Sequence, residues 1–585
     1  MLSRKNQILE MIESLEAQLV EKQSPNGMWR GKLSASAIST SVSLFALWMI
    51  DKDKYASQIE AAADWLCATM TPEGSWGDSV ESKSNLTATL LSYAALSAIN
   101  RAPEATKGYL DKMFGGIQDK QIVKGVLEFY GKDLTFSAPI LAMCGLARVV
   151  TDWEAIPRLP FELSIVPQRF FRFLRLPVVS YAIPALIAVG ILRHRKGKRG
   201  LFYGLRESFV NKSLAVLVKL QPSNGGFLEA APLTGFVAIC MCGAGYKDHI
   251  VTQRAARFLV DTVRKNGAWP IDTDLAGWVT YLAVKAMGEH TPHKELVLAN
   301  IKQNAFTCKH PFTGANPGGW GWSDLPGSVP DADDTAGNLI ALHILQEGKY
   351  CIEAERGVQW LLDLQNPDGG IPTFCKGWGK LPFDRSSPDI TAHCLAAFRL
   401  WFPVLPETVQ PKCRAGIEQM FHWLTADQKE NGEWIPLWFG DQDSPSHLSP
   451  VYGTAVCVDY ISKFPQSDSS YSLTKGLRFL LDAQNEDGGW GGSKNAPSKV
   501  TLTAKAISAL SSRPSTHNEA IARGVDYLYT RFREGTLTSP EPIGLYFASL
   551  WYSEDLYNQT FTLTALNQLL DIINELNAGI GLFAG

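Results

Sequence analysis

A short signature recurs along the chain and constrains the fold more than any other feature. It reads Asn26-Gly-Met-Trp29, Glu73-Gly-Ser-Trp76, Asn224-Gly-Gly-Phe227 and Asn266-Gly-Ala-Trp269. It continues as Pro317-Gly-Gly-Trp320, Asp368-Gly-Gly-Ile371, Asn431-Gly-Glu-Trp434 and Asp487-Gly-Gly-Trp490. From Gly225 onward the successive first glycines are 42, 51, 51, 63 and 56 residues apart. A Gln stands four residues before the first Gly in five units: Gln23, Gln221, Gln365, Gln428 and Gln484. Units of this length cannot bury an apolar face alone and must stack on one another.

The physics of one unit is legible from Arg356 to Ile371. Val358, Leu361, Leu362 and Leu364 form an apolar helical stripe. Asn366-Pro-Asp-Gly-Gly then ends the helix, with Gly free to take positive φ. A large side chain follows and can pack back on the helix end. Gln can bind backbone groups of the turn and tie one helix terminus to the next. About 50 residues accommodate two helices and two turns, so the hairpins either stack as a solenoid or close into an α/α barrel. Few alternating β-branched runs are bounded by turns, which makes the chain mostly α.

Composition narrows the function. Hydrophobic residues make up 45% and charged residues 19% of 585, which suits a large apolar core and excludes general disorder. Lys+Arg 55 against Asp+Glu 58 leaves a net charge of -3, which argues against binding along a nucleic-acid backbone. The ten Cys are dispersed; the closest pair is Cys240 and Cys242, and no CxxC occurs. Neither a zinc ribbon nor a disulfide scaffold is expected, and free thiols point to a reducing compartment. Met1 to Glu10 is polar, so no secretory signal is expected. Leu176 to Leu192 is uncharged but contains Pro177 and Pro184, and it is shorter than the about 20 residues of a spanning helix. Arg169, Arg172 and Arg175 precede it, and the basic run Arg193 to Arg199 follows. Two readings stay open: a buried barrel helix with a solvated basic loop, or a monotopic patch that sets Leu201-Phe-Tyr203 and basic residues against lipid headgroups.

The strongest chemical signal is Pro330-Asp-Ala-Asp-Asp-Thr-Ala336, with carboxylates at Asp331, Asp333 and Asp334. The apolar run Leu339 to Leu345 begins soon after, so the cluster sits at a helix start, where Asp caps and the dipole tolerates negative charge. An over-capped surface helix would explain that much. Gly318-Gly-Trp-Gly-Trp322 lies just upstream, however, and brings aromatic surface to the acids. Three close carboxylates do not all ionise cheaply, so at least one proton is held at neutral pH. An acid kept protonated in an apolar pocket is a Brønsted acid, and it needs a partner for its anion. Asp clusters also bind Mg²⁺ near phosphates, but Asp333-Asp-Thr-Ala-Gly337 lacks the last acid of DDxxD.

Asp331-Ala-Asp-Asp-Thr-Ala336 resembles the DxDDTA motif of squalene–hopene cyclases, the bacterial class II triterpene cyclases, and the Gln…Gly-x-Trp units resemble that family's repeats. The likeness runs from Gln23 to about Leu566. It implies an all-α fold of two α/α barrels with a large apolar cavity between them. It further implies a catalytic barrel of residues 1–33 plus 258–585, and an inserted barrel, 34–257, with a membrane-facing patch. By similarity Asp333 is the proton donor, flanked by Asp331 and Asp334. Asp389-Ile-Thr-Ala-His393 matches the D-x-T-A-H segment, whose His hydrogen-bonds the acid. Trp322, Trp438 and Tyr452 match cavity aromatics, Phe374 stands for a Tyr, Tyr181 for a deeper Trp, and Tyr557 for a residue near the C-terminus. Ring faces stabilise cations without being nucleophiles.

The chain also departs from the pattern. The family's Gln-Pro pair, tied to the final cation, is Ala231-Pro232 here. A family Glu is replaced around Thr40 to Val42, and a cavity Trp falls at Leu275, with Trp278 nearby. The stretch from Phe374 to Asp389 is shorter. The expected activity is therefore protonation and polycyclisation of a linear polyprene, squalene first, with the termination altered. No metal or redox cofactor is required, because the acid is a side chain. The expected partners are the polyprene and a membrane surface on the cytoplasmic side, with a homodimer allowed and no nucleic acid. The alternatives are a prenyltransferase β subunit, which would need an Asp, Cys and His zinc site, an α/α-barrel glycosidase with paired carboxylates, and a non-catalytic helical-repeat scaffold.

Overall fold

Helices of two kinds alternate along the chain. One kind is apolar on every side: Leu86–Ala98, Ala231–Gly243 and Pro450–Ile461 bury almost every residue. The other kind is amphipathic, as in Ile250–Thr262 and Ile352–Leu364, which bury one stripe and turn charged residues outward. A helix that is apolar all round must be surrounded, and the amphipathic helices do the surrounding. The computed structural model describes residues 4–131, 134–167, 170, 183–311, 313–374, 376, 382–464, 470–545 and 550–583.

Six apolar helices form one inner ring: Ala276–Met287, Ala332–Leu345, Pro388–Trp401, Pro450–Ile461, Val500–Leu510 and Tyr557–Phe583. Each packs on the next in chain order, and the last closes on the first. The N-terminal helix Lys5–Glu21 packs on Tyr557–Phe583 and Pro514–Arg533, so the start of the chain completes the shell around its end. Arg4 clasps Asp526 there with two hydrogen bonds of 2.6 and 2.5 Å. A second ring is made by Ala37–Asp51, Leu86–Ala98, Leu134–Leu146, Ile183–Lys196 and Ala231–Gly243, and it closes from the last helix to the first. The fold is thus two α/α barrels, as the family resemblance implied, and the hairpin repeats close into rings rather than stacking as a solenoid. The chain passes between them along two short antiparallel strands that pair Ala35 with Pro270 and Ser36 with Trp269. Among the described residues no helix is long and apolar enough to cross a membrane.

The repeat is a fastener between layers. Gln365 donates its side-chain N–H both to the Gly369 carbonyl (2.8 Å) and to the Gly416 carbonyl of the next outer helix (3.1 Å). Gln23, Gln221, Gln428 and Gln484 bridge in the same way. Glycine is obligatory in the turn. At Gly432 φ is +96°, and a Cβ would lie 2.3 Å from the Lys475 carbonyl oxygen. Trp490 is fully buried and donates its indole N–H to the Leu480 carbonyl (2.7 Å), while its backbone N–H reaches Thr503 Oγ1 (3.0 Å). The same Thr partner serves Trp76 (Thr89), Trp320 (Thr335), Ile371 (Thr391) and Trp434 (Thr454). Two units complete across the crossing: Trp29 uses Thr280, and Trp269 uses Thr40.

Candidate active site

Asp331 is the N-cap of the inner helix Ala332–Leu345, and its side chain accepts the Asp334 backbone N–H at 2.9 Å. The helix start is fixed from below by Thr335, which binds the Asp331 carbonyl (2.5 Å) and receives the Trp320 N–H. Asp331 and Asp334 are consequently buried. Asp333, in the first turn, faces a cavity of about 290 Å³.

The cavity lies at the seam of the two barrels. Leu33, Ile271, Trp278, Trp322, Trp438 and Tyr552 line it from one side, and Ile38, Leu91, Phe136, Pro139, Pro232 and Phe236 from the other. Phe374 packs edge-on against Trp438 and Trp322, with ring centroids 5.2 and 6.4 Å apart. Tyr557 also lines the wall and shares a 2.8 Å hydroxyl contact with Tyr552. Of the residues expected from the sequence, Asp331, Asp333, Asp334, Trp322, Trp438, Phe374, Tyr557 and Pro232 all meet at this cavity. Tyr452 packs behind the wall, edge-on to Phe439 at 5.0 Å. Tyr181 lies outside the described residues. Leu275 and Trp278 both reach the wall.

His393 is brought from the next inner helix, Pro388–Trp401. Its Nδ1 lies 2.6 Å from Asp333 Oδ1. Asp389, one turn earlier on the same helix, is buried and accepts the Ser387 hydroxyl at 2.5 Å, so it supports the helix start and stands off the cavity wall.

Burial dominates the electrostatics. It pushes Asp331 up to about 7, and it pushes Asp334 well above the usual carboxylate range, with Asp331's neighbouring charge adding to it. The two buried carboxyls are close enough that the charge of one disfavours that of the other. Burial likewise raises Asp389 to about 7. It lowers His393, an effect that the facing Asp333 opposes. The site is therefore poor in negative charge at neutral pH, as a proton donor requires. Asp331 is protonated below about 7 and ionises as the pH rises through that value. Turnover is expected to fall on the alkaline side, and Asp331→Asn, which keeps the cap but removes the group that ionises near 7, should flatten that limb. A pH–rate profile of both proteins checks this.

Sequence reasoning missed several groups. Asp272 lines the cavity, and burial holds it well above the usual range. Tyr281 and Tyr460 pack against the His393 ring at centroid distances of 5.2 and 5.4 Å, joining Trp278, already noted from the sequence, at 6.0 Å. The Tyr281–Lys285 spacing of four, on one face of an apolar helix, was the available signal.

The comparisons with known proteins bear on the family and the fold. Models of the squalene–hopene cyclase N-terminal and C-terminal domains match residues 12–227 and 300–571. An enfumafungin synthase of Hormonema carpetanum is 23% identical, covering 90% of this chain and 46% of its own length. A squalene–hopene cyclase of Bradyrhizobium diazoefficiens is 25% identical, covering 45% of this chain and 42% of its own length. The chain thus spans about half the length of these curated relatives. Among solved structures, ent-copalyl diphosphate synthase from Streptomyces platensis shares the fold, with a TM-score of 0.55 at 17% identity, covering 97% of this chain and 99% of that one. With both domain models matched in order and an acid triplet set into the seam between two α/α barrels, the chain belongs to the squalene–hopene cyclase family.

Proposed function

We propose that the protein is a protonation-initiated polyprene cyclase in which Asp333 delivers a proton to the terminal alkene of a linear substrate, squalene first among candidates. The observation that carries this reading is a single one. Asp333 faces an aromatic-walled apolar cavity while its carboxyl is hydrogen-bonded to buried His393. The acid's neighbours hold protons, His393 stabilises the anion once the proton has gone, and the ring faces of Trp278, Trp322 and Trp438 stabilise the migrating cation. Water is kept from the cation by the same apolar wall. Among the described lining residues there is no Lys or Arg, which favours a neutral end over a diphosphate. Pro232 lines the cavity with Ala230, while Ala231 is buried beside them, so the altered termination belongs to that part of the wall. Incubation with squalene, oxidosqualene, C35 polyprenes and geranylgeranyl diphosphate, followed by gas chromatography–mass spectrometry, tests the substrate. A cyclic product from none of them contradicts the reading.

The barrels are proposed as one catalytic and one inserted unit. The bounds proposed are 1–33 plus 258–585 and 34–257, and the packing of Phe258, Leu259 and Trp269 in the core of the second ring favours a return crossing nearer 270.

A peripheral or monotopic membrane contact is proposed at Leu201, Phe202 and Leu205, which are 94, 66 and 60% exposed. Lys196, Lys198 and Arg199 are exposed beside them. Arg193 and Arg195 are not available for this, since they pair with Glu154 and Glu207. Wild type is expected to sediment with anionic vesicles at low salt. Replacing Leu201, Phe202 and Leu205 by Ser should release it without changing its melting temperature. A wild type that stays wholly in the supernatant contradicts the patch.

A further inference from the structure

A small polar hollow lies within the ring of six inner helices, and among the described residues it shares no lining residue with the substrate cavity. It measures about 20 Å³, room for one sphere the size of a water molecule. Lys285 reaches it from Ala276–Met287, Asp459 and Tyr460 from Pro450–Ile461, Lys505 and Ser508 from Val500–Leu510, and Thr564 from Tyr557–Phe583. Polar and charged groups inside such a ring are costly and persist only with partners. Most of these have one. Lys285 donates to the Tyr460 hydroxyl at 2.9 Å and lies 3.9 Å from Asp459, which holds Lys463 at 2.9 Å. Thr564 donates its hydroxyl to the Thr560 carbonyl at 2.7 Å.

Two donors are left over. Lys505 and Ser508 stand three residues apart on one helix face, and among the described residues neither makes a hydrogen bond or an ion pair. Ser508 is only 8% exposed. Lys505 sets its ammonium 3.9 Å from the Phe561 ring centroid, and a ring face returns only part of what an ammonium loses with its water. The charge is also one-sided. The ammonium groups of Lys285, Lys463 and Lys505 gather round one adjacent carboxylate, Asp459, and Arg399 adds its own charge beside Lys463. Burial, then the Lys285 charge, brings Lys505 down to about 7, and Asp459 and the farther Asp333 oppose this only in part.

We infer that the hollow is a binding site for one small monovalent anion of halide size, held by Lys505, Ser508 and Lys285. A water molecule there would need acceptors as well as donors, and Asp459, the acceptor at hand, already faces two lysines. An anion takes donors only, and it brings the local charge closer to neutral. Phosphate and sulfate are too large for a space that holds a single water-sized sphere. Side-chain exposure rises from 15% at Lys285 to 35% at Lys463, so the ion enters from the Lys463 side. Once bound, it joins the helices that carry Lys285 and Lys505 and stabilises the closed ring, because the unfolded chain holds no such site. The inference rests on the six-helix ring alone and is independent of the proposed reaction.

Thermal melts of the full chain at neutral pH and fixed ionic strength test this, with sodium gluconate replaced stepwise by sodium chloride or bromide. The melting temperature of wild type should rise with halide and saturate, as binding to the folded state alone requires. Lys505→Met removes a buried charge and keeps the side chain's length, so it should melt at or above wild type in gluconate and lose at least ~10-fold in halide affinity. Ser508→Ala should lose roughly 3–10-fold, and it carries the test if Lys505→Met does not fold. Lys412→Met, which removes an exposed cation from an outer helix, should respond as wild type does. Bromide soaked into halide-free crystals should give an anomalous peak within hydrogen-bonding reach of Lys505 Nζ and Ser508 Oγ. A wild type with no saturable halide response would overturn the site. So would a response that survives in both Lys505→Met and Ser508→Ala, or a bromide-soaked crystal with only water in the hollow.

Discussion

Asp333→Asn is expected to lose at least ~10³-fold in turnover, roughly 4 kcal/mol of barrier, while melting within a few degrees of wild type. Protonating an isolated alkene needs a strong acid that is already charged with its proton. Asn keeps the shape and the contact with His393 but has no transferable proton. Its neighbours change little, because Asp331 still caps the helix through the Asp334 N–H. His393→Ala should fall between the two, since it removes the group 2.6 Å from the acid but leaves the acid in place. Asp482→Asn, on an exposed outer helix, should keep full activity and serves as the control. The measurement is turnover on the accepted polyprene, paired with a thermal melt of each variant.

Trp490→Ala should cost about 3–5 kcal/mol of stability, the largest effect expected from a residue remote from the cavity. The indole is fully buried and removes roughly 150–250 Å² from water, worth roughly 4–6 kcal/mol at about 25 cal/mol per Å². Its loss leaves a cavity and an unpartnered Leu480 carbonyl. Thr503→Val removes only the hydroxyl that receives the Trp490 backbone N–H and should cost about 1–3 kcal/mol. Urea titration followed by circular dichroism reads both. A loss below about 1 kcal/mol for Trp490→Ala would show that the repeat's aromatic does not fasten the layers.

How much of this was legible in the sequence depends on the range of each interaction. The turn glycines and their Gln partners show because the Gln-to-Gly contact spans four residues, and the acid triplet shows because a helix cap and its first turn are local. His393, 60 residues from Asp333, was reached only through a motif resemblance. The Thr partners were missed because their spacing varies, from 13 residues for Trp490 to 251 for Trp29. That second pairing depends on the chain leaving one barrel and returning, which no local pattern encodes. The packing of Tyr281 and Tyr460 on His393 was invisible for a related reason. Three inner helices each contribute isolated polar residues to otherwise apolar runs, and only ring closure brings them together. Tyr452 shows the converse: its place in the sequence suggested the cavity wall, but Phe439 stands edge-on to it and lines that wall instead.

The most direct test of the central claim is cyclisation in D₂O with mass analysis of the product. An enzyme equilibrated in D₂O carries deuterium on Asp333, and the first bond formed transfers it to the vinylic carbon of the terminal alkene. The account predicts a cyclic product with one non-exchangeable deuterium on that carbon, beside the quaternary centre, and no product from Asp333→Asn. A cyclic product without deuterium there, or one formed equally by Asp333→Asn, would contradict it.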